Sequence, residues 1–238
     1  MLKLIGKRQN FIVAIVGPVG VGKSTLGKLL AFSFIRLGHK ASLHFIKSFH
    51  GMTYVVWRLV HMVVLGKWSV SWLAPWYVLG RVRPELAKKL VILSLYIDTL
   101  FALPLSIFSR VLIPKLLGKI IIIEEYLLGT IADYFFNLLR FSISFRRFNV
   151  LLKILIAMYG KFHPDIVLIL DAEFDELFRR WKSRGYGDLQ LFYVAYQKHI
   201  LPFLARMLNG RAEIIIIHTD NMNTCETLRD VLSKLFKA

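Results

Sequence analysis

Gly17-Pro18-Val19-Gly20-Val21-Gly22-Lys23-Ser24-Thr25 satisfies the pattern G-x-x-x-x-G-K-[ST], and the residues on either side of it decide how it is read. Upstream, Phe11-Ile12-Val13-Ala14-Ile15-Val16 is an unbroken apolar run rich in β-branched residues, the composition of a strand buried on both faces of a parallel sheet. Downstream, Leu26, Leu29, Leu30, Ser33 and Leu37 recur at helical spacing. Strand, glycine-rich loop and helix in that order predict a phosphate-binding loop. A loop without Cβ atoms can curl so that successive backbone N–H groups point at a β-phosphate, with the positive end of the following helix behind them. On this reading Gly17, Gly20 and Gly22 shape the loop and Lys23 reaches the β- and γ-phosphates. Ser24 supplies a hydroxyl ligand to Mg²⁺, and Thr25 bonds the α-phosphate. The implied ligand class is ATP or GTP.

The chain has 238 residues, enough for one α/β domain with a full core and too few for two of ordinary size, so 1–238 is expected to be a single domain. Its one cysteine, Cys225, rules out an intramolecular disulfide and fits a reducing cytosol. The segment Met1 to Arg8 has no long apolar run ahead of a small-residue cleavage site, so no signal peptide is predicted. The charge balance is lopsided: 32 basic against 15 acidic residues give +17, and no Asp or Glu occurs before Glu85. Nucleotide phosphates account for a few of these cations, and the excess points to an anionic surface. A chain that is 56% hydrophobic, with mean hydropathy +0.55, favours a membrane over nucleic acid, and neither zinc-ligand spacing nor an RNP-like signature is present.

A second strand is expected over His39 to Ile46, which places Lys47 and His50 at a strand's carboxyl end, where ligands of open α/β sheets gather. From 52 to 118 the composition turns apolar and aromatic. Met52, Val55, Val56, Leu59, Val60 and Val63 follow a helical repeat, with Tyr54, Arg58 and His61 on the opposite face. Leu90 to Phe108 has nineteen residues and one charge, Asp98. Twelve Leu, Ile, Val and Phe residues contribute about −0.3 to −0.6 kcal/mol each to insertion, and a central Asp opposes this by about 3 kcal/mol. One span would also place the phosphate loop and the later strands on opposite sides of a bilayer. Residues 52–118 are therefore expected to be helices that cover the sheet edge or lie on a membrane surface, anchored by tryptophans at 57, 68, 72 and 76.

Ile120 to Tyr126 reads as a third buried strand ending in Glu124-Glu125, and a carboxylate there can hold a water of the Mg²⁺ shell or accept a proton. Adjacent strand residues point to opposite faces, so the two glutamates are expected to differ in task. Pro164 to Asp171 is the fourth strand. The helix Phe174 to Arg184 carries Arg179, Arg180, Lys182 and Arg184, a cluster able to stabilise a transferring phosphoryl group, and 182–188 has the glycines of a lid. Ala212 to His218 is the fifth strand. The expected fold class is α/β, a three-layer αβα P-loop NTPase fold with a five-stranded parallel sheet and an enlarged hydrophobic helical segment between strands 2 and 3.

With the strands placed, the chain resembles the thymidylate kinase-like branch of the P-loop nucleoside monophosphate kinases. The resemblance rests on Gly17 to Thr25, on Glu124-Glu125-Tyr126 where the family has Asp-Arg-Tyr, on Pro164-Asp165-Ile166-Val167-Leu168-Ile169-Leu170-Asp171-Ala172, and on the basic helix ending Arg184-Gly185. It implies Mg²⁺·ATP binding by the loop, metal or proton work at Glu124, and phosphate contacts from Arg180 and Arg184. The acceptor end departs from the family, because Glu125 stands where the family's arginine holds the acceptor's phosphate. Lys47, His50, Arg58, Glu125 and Tyr126 are the candidate acceptor-site residues. Two functions stay open: an ATP-dependent kinase acting on a nucleotide, a sugar or a lipid-linked molecule, and a membrane-associated nucleotide-binding regulator or ATPase. An anionic membrane on the cytoplasmic side and a homodimer are further candidate partners, and nucleic acid is not expected.

Overall fold

The computed structural model describes residues 10–66, 75–183, 191–208, 212–220 and 222–237. Its five strands are β1 (Ile12–Val16), β2 (Ala41–Ile46), β3 (Ile120–Glu125), β4 (Ile166–Asp171) and β5 (Glu213–His218). They form one parallel sheet in the order β2-β3-β1-β4-β5. The apolar runs read as buried strands are buried on both faces, and the pleat deals their side chains alternately to two cores. Ile12, Ala14, Val16, Ile121 and Ile123 enter one; Val13, Ile15, Ile120 and Ile122 enter the other. The second core is closed by α1 (Lys23–Arg36), the helix Phe174–Ser183 and the last helix (Thr224–Lys237), with Val194 reaching it from the helix Leu191–Leu208, and the first by the other helices, which gives the expected three layers. At the amino end of the sheet, Asp165 joins three strands. Its carboxylate accepts from Ile12 N, its own N–H donates to Ile12 O, and its carbonyl accepts from Glu213 N.

Between β2 and β3 lie α2 (Met52–Leu65), α3 (Pro75–Val82) and one long helix, α4 (Pro84–Leu116). Among the described residues α4 alone is long and apolar enough to cross a bilayer, but β1 and β2 precede it and β3 to β5 follow it in one sheet. Asp98, a cost in the insertion arithmetic, is 1% exposed and faces the protein. Its carboxylate accepts from Phe49 N at 3.0 Å, Thr53 Oγ1 at 2.9 Å and the Tyr134 hydroxyl at 2.6 Å. Burial pushes its pKa up, and those three donors oppose the rise. Asp98→Ala would strand Phe49 N–H and the Tyr134 hydroxyl, while Thr53 keeps His50 O, so we expect a loss of about 1–3 kcal/mol, read as a lower urea midpoint at unchanged slope.

The tryptophan expectation needs correction. Trp57 is fully buried and donates its indole N–H to Ser94 Oγ at 2.8 Å, while Trp76 packs among Phe49, His50, Tyr54 and Trp57. Trp57 is a core residue, because an indole whose N–H finds a buried partner is better inside, and Trp76 is half-buried against that core. Trp68 and Trp72 lie outside the described residues. On α2 the buried positions are Thr53, Trp57 and His61, whereas Met52, Val55, Leu59 and Val63 face out.

Candidate active site

The loop leaves the carboxyl end of β1, between β3 and β4. Gly17 has φ 152°, and a Cβ there would come within 2.3 Å of Leu170 O, so the close passage of β4 requires glycine. Gly22, at φ 105°, precedes α1 without a side-chain cap, which leaves the first N–H groups of the helix to a ligand. Ser24 and Thr25 are exposed on that first turn.

Lys23 is buried, and its ammonium donates to Gly17 O at 2.7 Å and Pro18 O at 2.9 Å and lies 3.1 Å from Glu125 Oε1. Burial lowers its pKa, the Lys47 charge adds to the fall, and Glu125 opposes it. Ser24 Oγ donates to Glu124 Oε2 at 2.5 Å, so a hydroxyl and a carboxylate converge beside the loop. Oxygen donors of this kind suit Mg²⁺, which takes one or two protein oxygens and completes its shell with water and substrate phosphates.

The two glutamates do differ in partners, but the expected opposition of faces is not what separates them. Glu125 sits at φ 66° and Tyr126 at φ 52°, which breaks the pleat at the strand end and lets both carboxylates reach the start of α1. Glu125 Oε1 meets Lys23 and also Lys47, at 3.4 Å, and Lys47 Nζ in turn lies 3.8 Å from Asp133. Burial would raise the pKa of Glu125, and the charges of Lys23 and Lys47 outweigh it and hold the carboxyl below its usual range. A Cβ at Gly129 would lie 2.7 Å from Glu125 Oε2, so a glycine one turn into α5 (Tyr126–Arg140) is what admits this carboxylate.

From Asp133 the polar contacts return to the loop. Ser48 Oγ and the Tyr193 hydroxyl donate to its carboxylate, Gln197 Nε2 donates to the Tyr193 oxygen, and Gln197 Oε1 accepts from Val19 N at 3.1 Å. Asp133, Tyr193 and Gln197 were missed from sequence. Part of the signal was there: Asp133 interrupts a mainly apolar helical stretch, and a buried polar group demands a partner.

No protein-family model matches this chain, and no curated protein does. Solved structures do. Thymidylate kinase from Candida albicans superposes with TM-score 0.59 at 15% identity, over 96% of this chain and 92% of that one. Deoxyadenosine kinase from M. mycoides, solved with bound dCTP, gives 0.55 at 15% identity, over 95% and 100%. The fold is that of the thymidylate and deoxynucleoside kinases.

Within this kinase fold the phosphate loop opens on a cavity of about 320 Å³ lined by Gly20, Gly22, Thr25, Arg180, Thr219 and Asn223, among others. Arg180, expected to reach a phosphate, lines this cavity and is held in its wall. Nε donates to Glu176 at 2.6 Å, Nη1 to Val21 O and Thr219 Oγ1, and Nη2 to Thr219 O at 2.7 Å. Every guanidinium nitrogen is engaged, so Arg180 joins loop, helix and β5 end rather than pointing free. Arg184 and 184–188 of the lid lie outside the described residues. Asn223 and Glu226 cap the last helix reciprocally, each side chain accepting from the other's N–H.

Of the acceptor-site expectations, Lys47 and Glu125 are brought to the loop. Tyr126 is not: it is fully buried in the core and its hydroxyl donates to Phe162 O, because the left-handed turn that frees Glu125 sends the next side chain inward. His50 packs edge-on to Phe45 and against Tyr54, with Nδ1 2.7 Å from Ser48 O. Arg58 lies on α2 beside His61, whose pKa is lowered by burial and then by the Arg58 charge.

Proposed function

We propose that this protein is an ATP-dependent phosphotransferase of the thymidylate kinase-like type whose acceptor presents a neutral hydroxyl, as a sugar or a lipid-linked molecule does, rather than a phosphomonoester. The observation that carries the reading is the convergence of Lys23, Ser24 and Glu124 at the mouth of the phosphate loop. Ser24 and Glu124 would hold Mg²⁺, which supplies charge neutralisation on the β- and γ-phosphates. The loop N–H groups and the start of α1 take the β-phosphate, and Thr25 takes the α-phosphate. Lys23 exchanges its loop carbonyls for phosphate oxygens, and the cavity beside Arg180 receives the base. The acceptor oxygen attacks the γ-phosphorus, the bond to the bridging oxygen breaks, and the released proton goes to Glu124 or to water.

The charge count supports the acceptor class. Lys23 and Lys47 face Glu124, Glu125 and Asp133, so the gathered groups have no surplus cation for a second dianionic phosphate. A carboxylate at contact distance would repel such a group by about 1–4 kcal/mol. The full ring of polar contacts from Val19 to Lys47 favours a second reading, an ATPase or regulator with no small acceptor. ADP release from Mg²⁺·ATP, measured alone and with nucleosides, nucleoside monophosphates, sugars and polyprenols, separates them. Stimulation by a hydroxyl acceptor is the expected result; equal turnover with every addition would favour the ATPase, and no turnover at all would overturn both.

A further inference from the structure

The long helix α4 keeps one side on the protein for its whole length, about 50 Å at 1.5 Å per residue. Its buried positions include Val91, Leu95, Thr99, Leu103, Ile107 and Val111, each four residues after the last. In a regular helix a four-residue step overshoots a turn by about 40°, so five such steps would rotate the buried face by about 200°. Two π-helical segments, Asp98–Ala102 and Phe108–Leu112, each absorb one extra residue, about 100°, and cancel that drift. Each leads into a proline, Pro104 or Pro114, which has no N–H to continue the α-helical ladder.

The opposite side is therefore held outward just as steadily. It presents Leu93, Tyr96, Leu100, Phe101, Leu105 and Phe108, with Phe101 62% and Leu105 61% exposed. A helix back that meets water is normally polar. This one carries no charge between Lys89 and Arg110, because Asp98 is turned inward, and Ser109 spends its hydroxyl on Leu105 O at 2.8 Å. Helix α2 packs on α4 and turns Met52, Val55, Leu59 and Val63 outward as well.

We propose that this face rests on the surface of an anionic lipid bilayer, without crossing it. Charge selects the occupant. The apolar stretch is bounded by Lys88 and Lys89 at one end and by Arg110, Lys115 and Lys119 at the other, and within 52–118 Glu85 is the one exposed carboxylate among the described residues. A second copy would bring the same cationic ends with no carboxylates to meet them. Anionic headgroups supply the missing sign while the acyl boundary takes the aliphatic and aromatic side chains. This docking surface stands apart from the nucleotide reading, on the other layer of the fold from α1.

Flotation with vesicles tests it, comparing phosphatidylcholine alone with an equal mixture of phosphatidylcholine and phosphatidylglycerol. The protein should float with the mixed vesicles, and partitioning should fall about tenfold in high salt. Phe101→Glu with Leu105→Glu should reduce it by about tenfold or more. Phe32→Glu, an exposed apolar position on α1, should leave it unchanged, and all variants should retain binding of an ATP analogue. Three results would overturn the idea: no flotation of the parent, equal flotation of the double variant, or retention that resists salt. A parent dimer in light scattering that the double variant dissolves, without flotation, would assign the face to a second copy.

Discussion

Lys47→Met is expected to lower the stability of the fold by about 3–5 kcal/mol, the cost of breaking a buried pair by removing one partner. The Lys47 side chain is 14% exposed and bridges two carboxylates that are more buried still, those of Glu125 and Asp133. Burial alone would lower its pKa, yet the charges of Asp133 and Glu125 raise it above its ordinary value, so the ammonium is bound into the site and not merely enclosed. Without it, Asp133 keeps the Ser48 and Tyr193 hydroxyls and Glu125 keeps Lys23, and neither pair of contacts restores the lost charge. Since the folded pKa of Glu125 is depressed, its contribution is present above the unfolded value of about 4.3 and is lost as pH falls through the lower folded value. Losing Lys47 weakens that depression, so the acid-side loss should be smaller in the variant and complete at a higher pH, with its onset unchanged. Urea titrations across a pH series measure both effects. Adding Glu125→Gln should restore part of the stability, and a loss below about 1 kcal/mol would mean the bridge behaves like a surface pair.

Lys23→Ala should weaken Mg²⁺·ATP binding by about 100-fold or more, about 2.7 kcal/mol, without unfolding the chain. Two losses act together. The cation that serves the β- and γ-phosphates is gone, and Glu125 loses its nearer partner, so more negative charge faces an incoming triphosphate. The second loss distinguishes this site from a phosphate loop whose lysine touches only its own carbonyls. Glu125→Gln in the Lys23→Ala background should therefore recover a measurable part of the affinity in titration calorimetry. Affinity unchanged by Lys23→Ala would remove the phosphate-loop assignment altogether.

The sheet was legible because its information is local. Apolar runs such as those of β1, β3 and β4 can be little else than buried parallel strands, and all five strands begin within two residues of their expected starts. The loop chemistry was legible for the same reason, since Gly17 to Thr25 is contiguous. Trp57 was misread, and the partners of Asp98 were not foreseen, because these roles depend on groups 36 to 49 residues away, which periodicity does not contain. Tyr126 was misplaced because a left-handed turn at a non-glycine residue has no sequence mark, so strand alternation was carried one residue too far. The ring through Asp133, Tyr193 and Gln197 joins helices 60 residues apart and could be seen only as polar residues in need of partners.

The paired π segments also govern how this chain can drift. A single deletion between Thr99 and Ile107 would remove one inserted residue and turn everything after it by about 100°, carrying Ile107 and Val111 off the core and charged Arg110 toward a new neighbour. Substitutions on the outward side disturb no packing partner of comparable depth. Length in this helix is thus constrained more tightly than the identity of its apolar side chains, so related chains should exchange one apolar residue for another at positions such as 93, 100 and 105 while keeping the residue count from Thr99 to Val111.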